Sequence, residues 1–103
     1  MNEKDLRLFL YSHDGLGLGH LRRNLAIARE IANLEPGASI LLDTGTDEFS
    51  HIGLPGNIDI LKLPALRKVS NGRYAARYLQ IPSADILALR STLLTTAIQM
   101  FRP

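Results

Sequence analysis

The order of hydrophobic and polar residues along the chain predicts short strands that alternate with helices. Three apolar runs of six residues, each bounded by turn-forming or charged residues, are typical of buried strands. Two longer segments place apolar residues three or four positions apart, which is typical of helices with one buried face. The predicted strands cover residues 6–11, 38–43 and 58–63, and the predicted helices cover 20–34 and 83–101.

The second predicted helix carries a mostly apolar stripe that should face the core. Ser83 stands at the position of an N-cap, and Asp85 lies in the first turn, where the helix dipole favours an acid. The stripe that we expect to be buried includes Ile86, Leu93, Ala97 and Phe101.

The order of these elements predicts an α/β fold. Strands joined through right-handed crossovers form a parallel sheet, here a partial, three-layer, Rossmann-like sheet with strand order 3-2-1 in a single domain over residues 1–103. A complete sheet of this kind places a fourth strand beside the first. We therefore expect either a truncated piece of a longer domain or an exposed first strand through which two copies associate.

A long polar stretch separates the third strand from the second helix. It covers residues 64–82, which is long for an ordinary connection, so we predict a functional or mobile loop. Within it, residues 67–78 carry four basic side chains and two tyrosines around an Asn71-Gly72 turn. Arg73 and Tyr74 suit a phosphate or a sugar. The alternative is a solvated loop, and because no nucleic-acid module is recognisable, we predict no nucleic-acid partner.

Composition narrows the class of protein further. The chain has no cysteine, which excludes disulfides and thiolate metal sites. No apolar run reaches the roughly 18 residues of a membrane helix, and the charged N-terminal residues do not form a signal peptide. We therefore predict a cytoplasmic protein without an integral membrane segment.

Charge is distributed unevenly along the chain. Residues 1–61 have a net charge of −4 and residues 62–103 a net charge of +6, although the whole chain is only +2. The basic part is expected to face an anionic partner, unless a neighbouring segment supplies the matching acids.

The connection between the first strand and the first helix is rich in glycine. Gly15, Gly17 and Gly19 allow backbone N–H groups to approach a ligand, and the start of the helix adds partial positive charge. Arg22 and Arg23 supply further donors in the first turn. The spacing is neither the dinucleotide G-x-G-x-x-G pattern nor a P-loop. We predict that these five residues bind an anionic or sugar-like ligand, and the alternative is a tight turn without one.

Two histidines flank this turn. His20 is the candidate catalytic residue, because the helix dipole keeps its ring neutral and able to accept a proton; the alternative is simple packing on the strand. His13 follows the first strand, at the edge where ligands of open α/β sheets bind. The run Ser12-His13-Asp14 is not a catalytic triad, since consecutive residues do not point at one another.

Three further polar residues receive structural interpretations. Asn24 lies on the apolar face of the first helix and is expected to hydrogen-bond the backbone of the glycine turn. Asp43 ends the second strand and is interpreted as a turn former or cap. His51 has no companions at metal-ligand spacing and is interpreted as a surface residue.

Residues 11–28, YSHDGLGLGHLRRNLAIA, resemble the opening of a family of predicted bacterial glycosyltransferases of the two-domain GT-B type. That family is similar to the enzyme that adds N-acetylglucosamine to lipid I. Weaker similarity extends to residues 63–66, 71–74 and 90–94, so the resemblance covers most of the chain.

The resemblance implies a second domain that holds most of a nucleotide-sugar site, while the glycine loop faces the acceptor and the donor phosphates. His20 would be the base or a phosphate contact, and no metal or other cofactor is expected. The implied partners are a nucleotide sugar and an acceptor, and we expect the 103-residue chain alone to be inactive. The alternatives are part of a sugar-nucleotide epimerase, a non-catalytic nucleotide- or phosphate-binding module, or an interaction fragment without a ligand.

Overall fold

The computed structural model describes residues 5–13, 19–49 and 53–103, which form five strands and two helices. In chain order these are β1 (Arg7–Ser12), α1 (Gly19–Leu34), β2 (Ser39–Thr44), β3 (Ile58–Lys62), β4 (Leu66–Ser70), β5 (Arg73–Ala76) and α2 (Ser83–Phe101).

The three strands predicted from the apolar runs form one parallel sheet. Its order is β1-β2-β3, which is the predicted order, and each strand pairs with the next in parallel register. Leu10 lies beside Leu42, and Leu42 lies beside Ile60, so apolar side chains continue across the strands on one face. The prediction of an α/β fold with a parallel three-stranded sheet is confirmed.

Helix α1 covers that apolar face. Its buried residues are spaced three or four positions apart and pack against Leu10, Ile40 and Leu42. The buried residues of α1 are Leu21, Leu25, Ala28 and Ala32. The helical period therefore identified the centre of the core face correctly, but Ile27 and Leu34, which the same period placed on that face, are exposed.

The predicted functional or mobile loop over residues 64–82 contains a β-hairpin, whose two strands the sequence analysis did not predict. Strands β4 and β5 pair antiparallel around the Asn71-Gly72 turn, which the sequence did predict. Gly72 has a φ of +76°, a left-handed conformation that glycine adopts without steric cost.

Helix α2 packs on the hairpin through Ile86, which is buried against Leu66 and Ala76. Only Ile86 and Arg90 of this helix are buried, so the predicted apolar stripe is only partly covered. Pro82, not Ser83, occupies the N-cap, and no side chain there makes a capping hydrogen bond.

A second set of contacts joins α2 to the sheet. Arg7 donates from Nη1 to the carbonyl of Phe101 at 3.0 Å. Since successive side chains of a strand point to opposite faces, Arg7 and Tyr11 lie on the face away from α1. Helix α2 therefore meets β1 from the side opposite α1. Neither helix in the described part of the chain has the length and apolarity needed to cross a membrane.

Candidate functional site

The carboxyl ends of β1 and β2 form the edge where α/β sheets bind ligands. Three polar side chains at these ends, Ser12, Asp43 and Thr44, are fully buried. Ser12 and Thr44 have hydrogen-bond partners, because Oγ of Ser12 accepts from Asn24 and Oγ1 of Thr44 accepts from the N–H of Thr46. The interior of the protein is therefore polar at this edge of the sheet.

A chain of hydrogen bonds reaches this edge from α2. Arg90 donates from Nη2 to the hydroxyl of Tyr11 at 2.7 Å and from Nη1 to the carbonyl of Pro64 at 2.6 Å. The Tyr11 hydroxyl lies 2.7 Å from Nδ1 of His13, which is exposed immediately after β1. The ring of Tyr74 meets the His13 ring edge-on, with centroids 5.0 Å apart. Side chains of β1 and β5 therefore contact His13, and Arg90 of α2 in turn binds the tyrosine of β1.

The guanidinium of Arg90 places a positive charge beneath the site. Arg90 is only 5% exposed, and both of its hydrogen-bond partners are neutral. No carboxylate within the described ranges pairs with it. A buried charge whose field is not cancelled nearby favours an anion at the adjacent surface.

The start of α1 lies against the same edge. Asn24 donates from Nδ2 to the carbonyl of Tyr11 and to Oγ of Ser12, both at 2.9 Å, and so fixes the beginning of the helix to the end of β1. The structural role predicted for Asn24 is confirmed, although its partners are in β1. The predicted contact residues in this turn, Gly19, His20, Arg22 and Arg23, are all exposed.

Gly19 is the one predicted loop glycine inside the described ranges. Apart from its chain neighbours and the backbone of α1, no described atom lies within 4 Å of a Cβ built on it. Gly15, Gly17 and His51 lie outside the described residues.

The hairpin carries the other two predicted contacts. Arg73 is exposed and Tyr74 is half-buried. Together with Val69, Ser83 and Leu87 they line an open groove of about 580 Å³ between the hairpin and α2. Because Tyr74 also touches His13, the groove adjoins the sheet edge. The structure thus brings together two residues, His13 and Tyr74, that were each predicted to contact a ligand.

Asp43 is not the turn former or cap that the sequence suggested. Its carboxyl group is fully buried, and neither oxygen hydrogen-bonds to a described residue. Burial raises the pKa of Asp43 to about 7, because the charged form loses its hydration. A carboxyl group that is largely protonated below neutral pH does not cancel the charge of Arg90 under those conditions.

Sequence reasoning missed the roles of Arg90, Tyr11 and Asp43. Arg90 interrupts the apolar stripe of α2, four positions after Ile86, and a single cation on a buried helical face was the available signal. Asp43 directly follows three apolar residues of β2, and this position within an apolar run was the sequence signal for its burial. Within the described ranges, no three side chains of the metal-binding types come together as a metal site.

Comparisons with protein-family models, with curated proteins and with solved structures return no significant match to this chain.

Proposed function

We propose that the chain is the N-terminal part of a glycosyltransferase of the GT-B type that uses a nucleotide-sugar donor, and that it forms the side of the cleft that faces the acceptor and the donor phosphates. The observation that carries the proposal is the pair of hydrogen bonds that links Arg90 to Tyr11 and Tyr11 to His13 at the carboxyl edge of the sheet. It combines a buried cation with an exposed imidazole, the pairing that suits a phosphate or sugar oxygen. The resemblance of residues 11–28 to GT-B transferases supports the choice of reaction class.

In this proposal the ligand lies between the start of α1 and the hairpin. Arg73 contacts its phosphate, the ring of Tyr74 packs against the sugar or base, and His13 donates to an oxygen. His20, exposed at the first turn of α1, is the proposed base or phosphate contact. The other proposed ligand contacts in this part of the sequence are Gly15, Gly17, Gly19, Arg22 and Arg23.

Binding is tested by titrating the chain with UDP-N-acetylglucosamine, UDP and inorganic phosphate while following backbone amide NMR signals. We expect the UDP compounds to shift signals around His13, Tyr74 and the first turn of α1. His13→Ala and Arg73→Gln should each weaken binding about tenfold, since each removes one hydrogen bond to a charged group.

Arg29→Gln is the control, because it removes the same charge from an exposed arginine on the far part of α1. Equal losses in the Arg29 and Arg73 variants would show attraction by net charge alone and contradict the proposal. The absence of any shift at the sheet edge would do the same.

The charge of Arg90 also favours a second candidate function, a non-catalytic phosphate-binding module. The two functions differ in what the sugar contributes. A transferase cleft binds UDP-N-acetylglucosamine more tightly than inorganic phosphate, whereas equal affinities would favour the module.

A further inference from the structure

The hydrogen bonds around Tyr11 determine where its proton goes. A guanidinium only donates hydrogen bonds, so the phenolic oxygen accepts from Arg90. The hydroxyl has a single proton, and His13 Nδ1, at 2.7 Å, is an acceptor within reach. The arrangement in which both groups are satisfied has Tyr11 donating to Nδ1 of His13.

A nitrogen that accepts a hydrogen bond carries no proton. In the neutral imidazole the proton then resides on Nε2. The edge-on contact with Tyr74 restricts the rotation of the ring, so this N–H keeps one direction. The alternative tautomer would place a proton between Nδ1 and an oxygen that already accepts from Arg90, and it would leave the Tyr11 proton to find another partner.

We infer that Arg90 and Tyr11 are positioning residues that hold His13 as the neutral Nε2–H tautomer, a hydrogen-bond donor for an oxygen of the bound ligand. The part that concerns the ligand rests on the proposed function, whereas the tautomer is a property of the free protein. His13 thereby acts as an oriented donor and not as a base at Nδ1. This separates its role from that proposed for His20.

The effect depends on the burial of Arg90. In water a guanidinium exchanges partners with solvent, but Arg90 is held at two sites by Pro64 and Tyr11. Tyr78 offers a contrast, because its hydroxyl accepts from Arg77 at 3.1 Å on the exposed surface. Tyr78 and Arg77 thus form a tyrosine–arginine hydrogen bond on the exposed surface, which serves as the comparison for the buried arginine.

The tautomer is measured by two-dimensional NMR of the ring nitrogens of ¹⁵N-labelled protein without ligand, at a pH well above the titration of the imidazole. For His13 we expect the Nε2–H pattern, with the Nδ1 signal displaced in the direction of hydrogen-bond acceptance. In Tyr11→Phe the Nδ1 signal should move toward that of a free unprotonated nitrogen. Tyr78→Phe should leave both ring signals unchanged.

Arg90→Lys and Arg90→Met extend the test to the arginine that donates to Tyr11. Methionine leaves Tyr11 without its donor, so a mixture of tautomers is expected. Lysine can restore one donor and with it part of the native pattern. If the methionine variant does not fold, the lysine variant and Tyr11→Phe still report on the inference.

Ligand binding is then measured separately with inorganic phosphate and UDP-N-acetylglucosamine. Tyr11→Phe should lower the affinity about fivefold, because the donor is no longer oriented. An Nδ1–H tautomer in the unaltered protein, or ring signals that Tyr11→Phe does not change, would overturn the inference. An Nε2–H tautomer that responds to Tyr11→Phe in a protein that binds neither ligand would count against the proposed function alone.

Discussion

At the scale of single residues, Asp43 is the most unusual group in the described chain. It lies beside Tyr11 in the sheet register, on the face away from α1, and its carboxyl is buried without a hydrogen bond to a described residue. With its pKa raised to about 7, the folded protein retains a proton that the unfolded chain releases near pH 4. Asp43 thus links the stability of the fold to pH.

We predict that Asp43 lowers stability as the pH rises. Between its unfolded pKa of about 3.8 and its folded pKa of about 7, the folded state binds more protons, so the free energy of unfolding decreases with pH. The loss approaches about 4 kcal/mol above neutrality. Urea denaturation from acid to mildly alkaline pH should show this slope in the unaltered protein and a much smaller one in Asp43→Asn.

Asp47→Asn is the matched control, because Asp47 is an exposed carboxylate four residues along the chain. It should keep the original slope. A slope that persists in Asp43→Asn would assign the pH dependence to other groups.

At the scale of elements, one amide joins α1 to β1. Both Nδ2 protons of Asn24 are used, one by the carbonyl of Tyr11 and one by the hydroxyl of Ser12. The contact sets the position of the first turns of α1 over the sheet edge, and with it the positions of His20, Arg22 and Arg23.

Removing this amide should loosen the helix at the site. Asn24→Ala leaves two acceptors unpaired, one of them on a fully buried residue, and we expect a loss of about 1–3 kcal/mol in unfolding free energy. Hydrogen exchange should rise in the first turns of α1. Asn33→Ala, on the exposed side of the same helix, should change stability by less than about 0.5 kcal/mol.

The hairpin depends on the conformation of its turn. Gly72 has a positive φ, and a Cβ there would meet no described atom beyond its chain neighbours, so the cost of Gly72→Ala is one of backbone conformation. We expect a loss of about 1 kcal/mol, measured by thermal unfolding. Gly56→Ala is the control, because Gly56 also has open space around it but no left-handed φ. Equal effects would rule out the conformational explanation.

The sequence predicted the elements that have a strong hydrophobic period. The three sheet strands and both helices agree with their predicted bounds to within about one residue. Strand β4 escaped prediction because four of its five residues are exposed, so it has no apolar alternation. Arg90 and Tyr11 escaped because their hydrogen bond joins positions 79 residues apart, and neither residue's surroundings in the sequence record that contact.

At the scale of the whole molecule, β1 leaves one edge of the sheet without a partner strand among the described residues. The bond from Ser39 N–H to the Leu6 carbonyl fixes the register, so the backbone groups of Arg7, Phe9 and Tyr11 point outward. Asn24 already occupies the Tyr11 carbonyl. The open part of the edge is therefore short and lies toward the start of the strand.

We predict self-association through this edge at high protein concentration, measured by sedimentation equilibrium. Phe9→Pro removes an outward N–H without breaking a bond to β2, and it should abolish the association. Phe9→Ala removes the same ring but retains the N–H, so it should associate more than the proline variant. A chain that stays monomeric at all concentrations would contradict the prediction.

The distance in sequence between Tyr11 and Arg90 also has a consequence for the chain during its synthesis. Strands β1 and β2 and helix α1 are synthesised before α2, and together they contain the parallel pairing and the contacts that α1 needs. Arg90 follows Tyr11 by 79 residues, so a nascent chain carries His13 long before the partner that orients it. The hydrogen bond between Arg90 and Tyr11 therefore forms only after α2 has been synthesised, when the strands of the sheet are already present.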